Sequence, residues 1–360
     1  MEKVSAFLKI QKNAILKQIC GNCGLPSSGK KDLLVNTICD GILHLDDRDP
    51  LALKQSKELG LPKDVRLLSI DLGIKNFSYC KFVLPKGDYN TVPEVYDWSK
   101  LNVFDYYNNK SAQKPGEITA TLIDDYTPNR FSEIAYHIAT ELVMAEENPI
   151  DVILIEQQRS RTTGSSAVQE WTLRVNMLEH MLYSTLFTLK QSHTGLNGLQ
   201  LVTSSPKRMS DYFINCKNES HEENPTKRQK SSVIKRQRIK LVENWIDKIQ
   251  FRRSEFPHNT PFIFQQTFGK KLKNNDPTPK VQKRQSKYIF DLIMADKHMK
   301  GRQKSDDLVD SLLHGVSWFS WMKNRMILRD ILMNDPNKLM DTLIIIENNH
   351  SKFTDYQEVD

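Results

Sequence analysis

Three acidic motifs, far apart in the sequence, carry the residue types that could do chemistry. Asp71 interrupts an apolar run, and Glu156 ends another. Asp306, Asp307 and Asp310 open a late helical segment, where spacings of three and four residues place two carboxylates on one helix face. A carboxylate is costly in a buried strand unless a cation meets it. The set therefore predicts an all-oxygen site for Mg²⁺, which prefers such ligands.

Crowded carboxylates also indicate what such a site would do. Three or four of them repel one another strongly unless cations intervene. Two Mg²⁺ ions about 4 Å apart would remove the repulsion and support in-line hydrolysis of a phosphodiester, one ion helping to generate hydroxide and the other stabilising the leaving 3′ oxygen. The alternative for the helix motif alone is an acidic helix N-terminus favoured by the macrodipole. His314, four residues after Asp310, is either a neighbour of this site or, as its position on an apolar helix favours, a core histidine.

Basic side chains stand next to these motifs. Arg159 and Arg161 come directly after Glu156, where guanidinium groups would meet phosphates at the mouth of a cleft. An ordinary exposed turn is the alternative for this pair. Lys207 and Arg208 follow a predicted strand and open a predicted helix, an arrangement that suits a backbone phosphate.

The charge of the chain is distributed unevenly. The net charge is +7, but residues 217–240 hold 8 basic and 3 acidic side chains, and residues 270–304 hold 11 and 3. Basic stretches beside an acidic metal site predict a polyanionic partner, although solvated loops would have the same composition.

The elements that must position these residues form an α/β pattern. The 360 residues, 39% hydrophobic, suffice for one large domain with accessory segments. Short apolar runs, first consecutive and then alternating with helical periodicity, predict a mixed sheet flanked by helices. Strands are predicted at 66–72, 76–84, 95–103, 151–156 and 199–203. Helices are predicted at 134–146, 167–189, 234–249, 288–299 and 307–322, and residues 217–231 are predicted to be disordered.

The five cysteines and the hydropathy pattern exclude other classes. An odd, small number of cysteines does not suit a secreted disulfide framework. Cys20, Cys23, Cys39 and His44 have the types for a zinc site, but the cysteines fall on apolar helical faces where they pack as small hydrophobes. No run approaches the ~18 apolar residues of a membrane span, so an intracellular protein without a membrane partner is expected. The lysine-rich first 20 residues are weakly compatible with an organellar signal.

The N-terminal residues 1–46 are predicted to be a separate module, in which residues 4–46 form two short helices around a turn. The string Gly-Leu-Pro-Ser-Ser-Gly-Lys-Lys-Asp-Leu-Leu at 24–34 resembles a SAP module, a small helix-turn-helix that binds DNA backbone. That resemblance implies DNA contacts from Lys30 and Lys31. A helical hairpin used for protein contact is the alternative. The polar residues 47–64 are predicted to be a linker.

The acidic motifs together resemble a known family. Residues 69–77 (Ser-Ile-Asp-Leu-Gly-Ile-Lys-Asn-Phe), 155–161 (Ile-Glu-Gln-Gln-Arg-Ser-Arg) and 304–314 (Lys-Ser-Asp-Asp-Leu-Val-Asp-Ser-Leu-Leu-His) are similar to the signature blocks of the fungal mitochondrial Holliday-junction resolvases. That family belongs to the RuvC-like branch of the RNase H fold. The resemblance spans about residues 65–325, leaving 326–360 as a helical and polar extension.

The resemblance implies a function and a set of roles. The expected activity is Mg²⁺-dependent cleavage of four-way DNA junctions in mitochondrial recombination by a homodimer, with two ions per site and Mn²⁺ as a substitute. The implied catalytic and metal-binding residues are Asp71, Glu156, Asp307 and Asp310, with Asp306 as an alternate ligand. The basic inserts at 217–240 and 266–287 have no role fixed by the family. Two alternatives remain open, namely an RNase H-fold nuclease acting on RNA–DNA hybrids and a non-catalytic SAP-containing DNA-binding scaffold.

Overall fold

A computed structural model describes most of the chain and shows one mixed sheet between two layers of helices. The described residues are 2–44, 63–112, 126–158, 169–214, 227–251, 260–266, 268, 289–290 and 305–354. The strands are β1 (Val65–Asp71), β2 (Phe77–Leu84), β3 (Glu94–Leu101), β4 (Val152–Glu156), β5 (Gln200–Ser204) and β6 (Ile263–Phe264). Their order across the sheet is β5-β4-β1-β2-β3-β6. The predicted α/β class, a mixed sheet flanked by helices, is confirmed.

The strand directions place the carboxyl ends of three strands together. β1, β2 and β3 form an antiparallel meander. β4 pairs parallel with β1, and β5 pairs parallel with β4. Since parallel strands end at the same edge of a sheet, the last residues of β1, β4 and β5 lie side by side.

Ten α-helices occur among the described residues. They are α1 (Glu2–Ile10), α2 (Asn13–Asn22), α3 (Lys31–Ile38), α4 (Val103–Ala112), α5 (Pro128–Ala139), α6 (Glu170–Ser192), α7 (Pro206–Phe213), α8 (Lys227–Phe251), α9 (Asp306–Asn334) and α10 (Leu339–Thr354). π-helical turns extend α3 through Leu43 and α5 through Met144.

Each face of the sheet buries its own core. Odd-numbered β1 residues such as Leu67, with Leu154 of β4, pack against α7, α8 and α9. Even-numbered β1 residues such as Ile70, with Ile155 of β4, pack against α5 and α6. This period-two alternation predicts that Asp71 of β1 shares the face of Leu67, the face that α9 covers.

The long helix α9 crosses the sheet where one glycine permits close approach. A side-chain carbon added at Gly315 would lie 2.2 Å from the ring of Phe82 in β2. Phe82 is fully buried and packs edge-on against Phe319, one turn later on α9. A residue larger than glycine at position 315 would therefore push α9 away from the sheet.

Some predicted boundaries were wrong. The N-terminal segment forms three helices, because the chain breaks between α1 and α2 at residues 11 and 12. Helix α8 begins at Lys227, so residues 227–231 are helical rather than disordered. Helix α9 runs twelve residues past the predicted end at Met322, and β6 was not predicted. The predicted linker 47–64, apart from its last two residues, and most of the insert 266–287 lie outside the described residues.

The N-terminal helices share a core with the C-terminal ones. Leu16 and Leu34 of the N-terminal unit belong to one buried cluster with Leu328, Leu332 and Leu343 of α9 and α10. Two side chains of α9 also donate hydrogen bonds to backbone carbonyls of the unit, Asn324 Nδ2 to Asn22 at 2.8 Å and Arg325 Nε to Cys23 at 2.9 Å. The predicted domain boundaries remain a prediction, but residues 2–44 are packed against α9 and α10.

Candidate active site

Asp71 and Glu156 end neighbouring parallel strands. The register pairs Ile70 with Ile155, so the two acids that follow lie next to each other. Both have the strand parity of the face that α9 covers. Besides burial, the charge of Glu156 raises the pKa of Asp71, as expected for two carboxyl groups held close together. Two acids predicted from separate apolar runs are therefore one buried pair.

The first turn of α9 brings the third acidic motif to this pair. The hydroxyl of Ser78 in β2 donates to the backbone carbonyl of Asp307 at 2.6 Å. The indole N–H of Trp98 in β3 donates to the backbone carbonyl of Leu308 at 3.0 Å. These bonds fix the start of α9 on the sheet, so Asp307 and Asp310 project from one helix face toward Asp71.

The acids lie in a cleft of about 920 Å³. Asp71, Glu156, Asp307 and Asp310 all line it. Asp306 is absent from the cleft lining; its side chain is 12% exposed and forms an ion pair with Lys235 of α8. The structure thus brings four of the five predicted acids to one wall and turns Asp306 toward α8.

Cationic side chains already accompany these acids. Lys100 of β3 is almost fully buried, and its Nζ lies 2.5 Å from Oδ2 of Asp307. Arg238 of α8 places Nη1 2.9 Å from Oδ1 of Asp310. That Asp310 oxygen nevertheless accepts no hydrogen bond among the described residues, so charge rather than a directed bond holds the pair.

Burial and mutual repulsion shift the pKa values of the acids. Burial, followed by the charge of Glu156, raises the pKa of Asp71 well above its usual range. Burial raises the pKa of Asp310 to about 8; Arg238 opposes the rise, and Glu156 adds to it. Burial also raises the pKa of Asp307, while Lys100 opposes the rise. Carboxylates held so close in a buried site disfavour one another's charge.

Glu156 is the exception, and His314 explains it. Burial alone would raise the pKa of Glu156, but the neighbouring His314 outweighs burial and lowers it. His314 Nε2 lies 3.6 Å from Oε2 of Glu156, and Nδ1 lies 2.6 Å from the hydroxyl of Ser204 at the end of β5. His314 is fully buried. It is therefore the expected core histidine and also a direct neighbour of the acidic pair.

The donor set fits a divalent cation. Four carboxylates offer the hard oxygen ligands that Mg²⁺ and Mn²⁺ take, and a buried oxygen of Asp310 has no hydrogen-bond donor among the described side chains. Within that part of the chain, no three His, Cys, Asp or Glu side chains already stand at metal-binding distances.

The predicted DNA contacts are placed only in part. Arg159 and Arg161 lie outside the described residues. Lys207, exposed on the cleft rim, pairs with Asp211 at 2.5 Å. Arg208 is half-buried, and its Nε has no hydrogen-bond partner among the described atoms.

The SAP-like unit presents its two lysines at a helix start. Lys30 is exposed just before α3, and Lys31 is the half-buried first residue of α3.

The zinc alternative finds no support in the described residues. Cys20 and Cys23 are fully buried in the core that the N-terminal unit shares with α9 and α10. Burial raises the pKa of Cys20 to about 11 and that of Cys23 to about 12, which disfavours the thiolate form that binds metal. Both cysteines act as small core hydrophobes.

Sequence reasoning missed the cations of the site. Lys100 carried no clear signal, because its strand, Glu-Val-Tyr-Asp-Trp-Ser-Lys-Leu, is rich in polar residues and does not indicate a buried lysine. Lys235 and Arg238 were counted only as part of a basic stretch. Nothing local indicates that this stretch folds over an acidic cleft formed by residues 71, 156 and 310.

Fold and site define the class of protein. A mixed sheet whose first strand ends in an acid, with a second acid on the neighbouring strand and two more on a helix crossing the sheet, is the arrangement of an RNase H-like nuclease. Divalent-metal dependence is typical of this fold. The chain belongs to the family described as mitochondrial resolvase Ydc2 / RNA splicing MRS1, whose model matches residues 67–328. The family confirms the predicted mitochondrial location.

Curated relatives and one solved structure agree with this membership. The chain is 29% identical over 277 residues to the mitochondrial cruciform cutting endonuclease 1 of Saccharomyces cerevisiae, covering 74% of this chain and 72% of the relative. It is 32% identical over 248 residues to the protein of the same name from Schizosaccharomyces pombe, covering 68% and 80%. The yeast mitochondrial Holliday junction resolvase Ydc2 has the same fold, with a TM-score of 0.52 and 24% identity over 89% of this chain and 98% of that one.

No helix in the described parts of the chain has the length and apolarity needed to cross a membrane.

Proposed function

We propose that this protein is a divalent-metal-dependent endonuclease that resolves four-way DNA junctions in mitochondria. The observation that carries the proposal is the convergence of Asp71, Glu156, Asp307 and Asp310, from two strands and one helix, on a single cleft. Relatives named cruciform cutting endonucleases support the substrate class.

In this proposal the four cleft carboxylates hold Mg²⁺, two ions per site, with Mn²⁺ as a substitute. When bound, the metal supplies Lewis-acid activation of water and of the phosphodiester. Burial and neighbouring carboxylates raise the pKa values of Asp71 and Asp310, and a bound cation would offset that repulsion. Asp306 is proposed to support α8 through Lys235 rather than to ligate metal.

His314 positions Glu156 in this proposal. Its Nδ1 is held by Ser204, so the ring is fixed with Nε2 toward Glu156. A fixed ring keeps the Glu156 carboxylate oriented and ionised next to Asp71.

DNA binding is proposed to use basic side chains on both sides of the cleft. Lys207 would meet the backbone at the rim, Arg208 follows it on α7, and Arg159 and Arg161 follow Glu156 in the sequence. Lys30 and Lys31 would add contacts from the SAP-like unit. Because a four-way junction offers two symmetry-related strands, paired cuts need two active sites, and we propose a homodimer.

The test compares substrates of one sequence. Purified protein in Mg²⁺ should cut a synthetic four-way junction at least ~100-fold faster than a linear duplex or an RNA–DNA hybrid of the same sequence. The mass of the protein–junction complex should equal two chains per junction. Faster hybrid cleavage would favour the general RNase H-fold nuclease.

A non-catalytic role makes a different prediction. The family description also includes an RNA splicing protein, and a scaffold would bind nucleic acid without cutting any of these substrates. Junction binding in Ca²⁺ that is followed by no cleavage in Mg²⁺ or Mn²⁺ would favour that role. The presence of all four cleft carboxylates argues against a non-catalytic role, because a binding scaffold gains nothing from buried acids that repel phosphate.

A further inference from the structure

The basic stretch that begins helix α8 lies directly against the acidic cleft. The C-terminal half of α8 is anchored in the core by Leu241, Val242, Trp245 and Ile246, all at most 2% exposed. The preceding turns carry cationic side chains. Ser231, Ile234 and Arg238 of this part line the cleft. Helix α8 is therefore a firmly anchored element whose charged end overhangs the candidate metal site.

Two cations on one face of this overhang contact acids of α9. Lys235 and Arg238 are three residues apart, which places them on the same helix face. Lys235 pairs with Asp306, outside the cleft lining. Arg238 pairs with Asp310, inside it, and Nη1 also lies 3.3 Å from the hydroxyl of Ser210 on α7. The first contact holds α8 in place, and the second occupies a carboxylate of the proposed metal set.

The contact between Arg238 and Asp310 uses only part of the guanidinium group. Its side chain is 14% exposed, and Nε is buried without a hydrogen-bond partner among the described residues. A guanidinium group can make five hydrogen bonds and prefers two parallel ones to a carboxylate or a phosphate. Arg238 thus retains donor capacity toward a cleft in which a phosphodiester would lie.

We propose that Arg238 is a positioning residue that exchanges partners: it neutralises Asp310 in the free protein and transfers to a DNA phosphate when a divalent cation takes Asp310. This inference rests on the proposed function. A cation bound to Asp310 repels the guanidinium and removes its partner, while the incoming phosphate offers two oxygens that match the guanidinium fork. Lys235 and Asp306 keep α8 over the cleft during the exchange.

The exchange predicts opposite effects of one substitution on two ligands. Arg238→Gln removes the competitor for Asp310, so Mn²⁺ alone, titrated by electron paramagnetic resonance, should bind about tenfold more tightly to the variant without DNA. The same variant should bind a four-way junction in Ca²⁺ about tenfold more weakly, because a charge-assisted contact to phosphate is lost. A residue with only a structural role would weaken both.

Two variants serve as matched controls. Arg236→Gln removes the same charge from an exposed position of the same helix and should leave Mn²⁺ affinity unchanged. Arg238→Lys keeps the charge but loses the fork, so Mn²⁺ affinity should stay near that of the natural protein while junction affinity falls.

The natural protein provides a check that needs no variant. Hydrogen exchange of amides in residues 231–240 should become faster when Mn²⁺ alone is added and slower when the junction follows. Two results would overturn the proposal that Arg238 changes partners. One is unchanged hydrogen exchange in residues 231–240, and the other is an Mn²⁺ affinity of Arg238→Gln that is equal to or weaker than that of the natural protein. If the natural protein binds no Mn²⁺ at the carboxylates, the proposed function fails as well, so the two failures are distinguishable.

Discussion

At the residue scale, the candidate site is a set of carboxylates whose negative charges repel one another unless cations lie beside them. Asp71 and Asp310 have raised pKa values because they are buried beside other carboxylates. Glu156 keeps its charge because His314 lies beside it. Lys100 and Arg238 offset Asp307 and Asp310. At the proposed metal site, metal binding and protonation would therefore compete for the same carboxylate oxygen atoms.

Asp71→Asn tests the metal assignment. The amide keeps the shape but removes one negative charge from the cleft, so cleavage of a junction in Mg²⁺ should fall by about three orders of magnitude or more. Junction binding in Ca²⁺ should persist. Asp211→Asn is the control, because Asp211 lines the same cleft but is paired with Lys207 at the surface. Near-normal cleavage by Asp71→Asn would falsify the role of Asp71.

The raised pKa of Asp310 predicts that the stability of chelator-treated protein depends on pH. Its folded pKa of about 8 lies above the usual 3.8, so between these values the folded state binds more protons than the unfolded state. The free energy of unfolding should therefore fall as pH rises through this window, by on the order of 1 kcal/mol per pH unit from this group. Urea unfolding at several pH values should show a shallower fall for Asp310→Asn. Equal slopes for both proteins would contradict the shift.

At the element scale, α9 decides whether the acids meet. Its first turn is held by Ser78 and Trp98, and its middle lies on β2 through Gly315. The distance between α9 and the sheet thus sets the separation between Asp307 or Asp310 and the strand acids. This helix is both a core element and the support of half the site.

Gly315→Ala tests that support. The new methyl would overlap the ring of Phe82, which is fully buried and cannot swing away. We expect overpacking to cost about 1–3 kcal/mol, which outweighs the gain in helix propensity of at most ~1 kcal/mol. Urea unfolding measures the change. Gly21→Ala is the control, because Gly21 is also helical and has no atom within 4 Å of the added carbon, so it should be neutral or stabilising.

At the scale of the whole molecule, the N-terminal unit is part of the support for α9. Leu328 and Leu332 of α9 and Leu343 of α10 are buried against Leu16 and Leu34 of that unit. Gly24 takes a positive φ of 62°, and an added side-chain carbon there would lie 2.2 Å from the ring of Trp321. A SAP-like unit that merely tethers DNA would not need this contact.

Removal of residues 1–44 tests the shared core. The truncation exposes several leucines, each worth about 1.5–3 kcal/mol when fully buried, so the thermal midpoint should fall clearly. Calorimetry of the truncated and full chains provides the measurement. Equal midpoints would show that the unit is an independent module. The truncated protein should keep the four acids, so any cleavage at low temperature would come from residues 65–325.

The DNA role of this unit requires a substitution that spares its core. Lys30→Gln with Lys31→Gln should weaken junction binding and lower the slope of log affinity against log salt by roughly two, because each phosphate contact contributes about one. Unfolding midpoints should stay unchanged, since neither lysine belongs to the buried cluster. An unchanged slope of log affinity against log salt would favour the alternative that the N-terminal helices contact a protein.

The sequence by itself predicted five of the six strands, the acids at their ends and the class of chemistry. Alternation along β1 and β4 and helical spacing at Asp307 and Asp310 are local patterns, and local patterns encode which face a side chain takes. The motifs at 69–77, 155–161 and 304–314 therefore predicted both the sheet and the acids that meet on it. Family membership confirmed the fold and the enzyme class.

Only the tertiary structure decided which cations accompany those acids and what supports α9. The pairs of Lys100 with Asp307 and of Arg238 with Asp310 join residues separated by 207 and by 72 positions, and no local period encodes such neighbours. Asp306 and Asp307 are adjacent in the sequence, yet the first faces α8 and the second faces the cleft, because successive helical residues point about 100° apart. The docking of residues 2–44 on α9 and α10 likewise depends on which apolar faces remain uncovered after the sheet has packed.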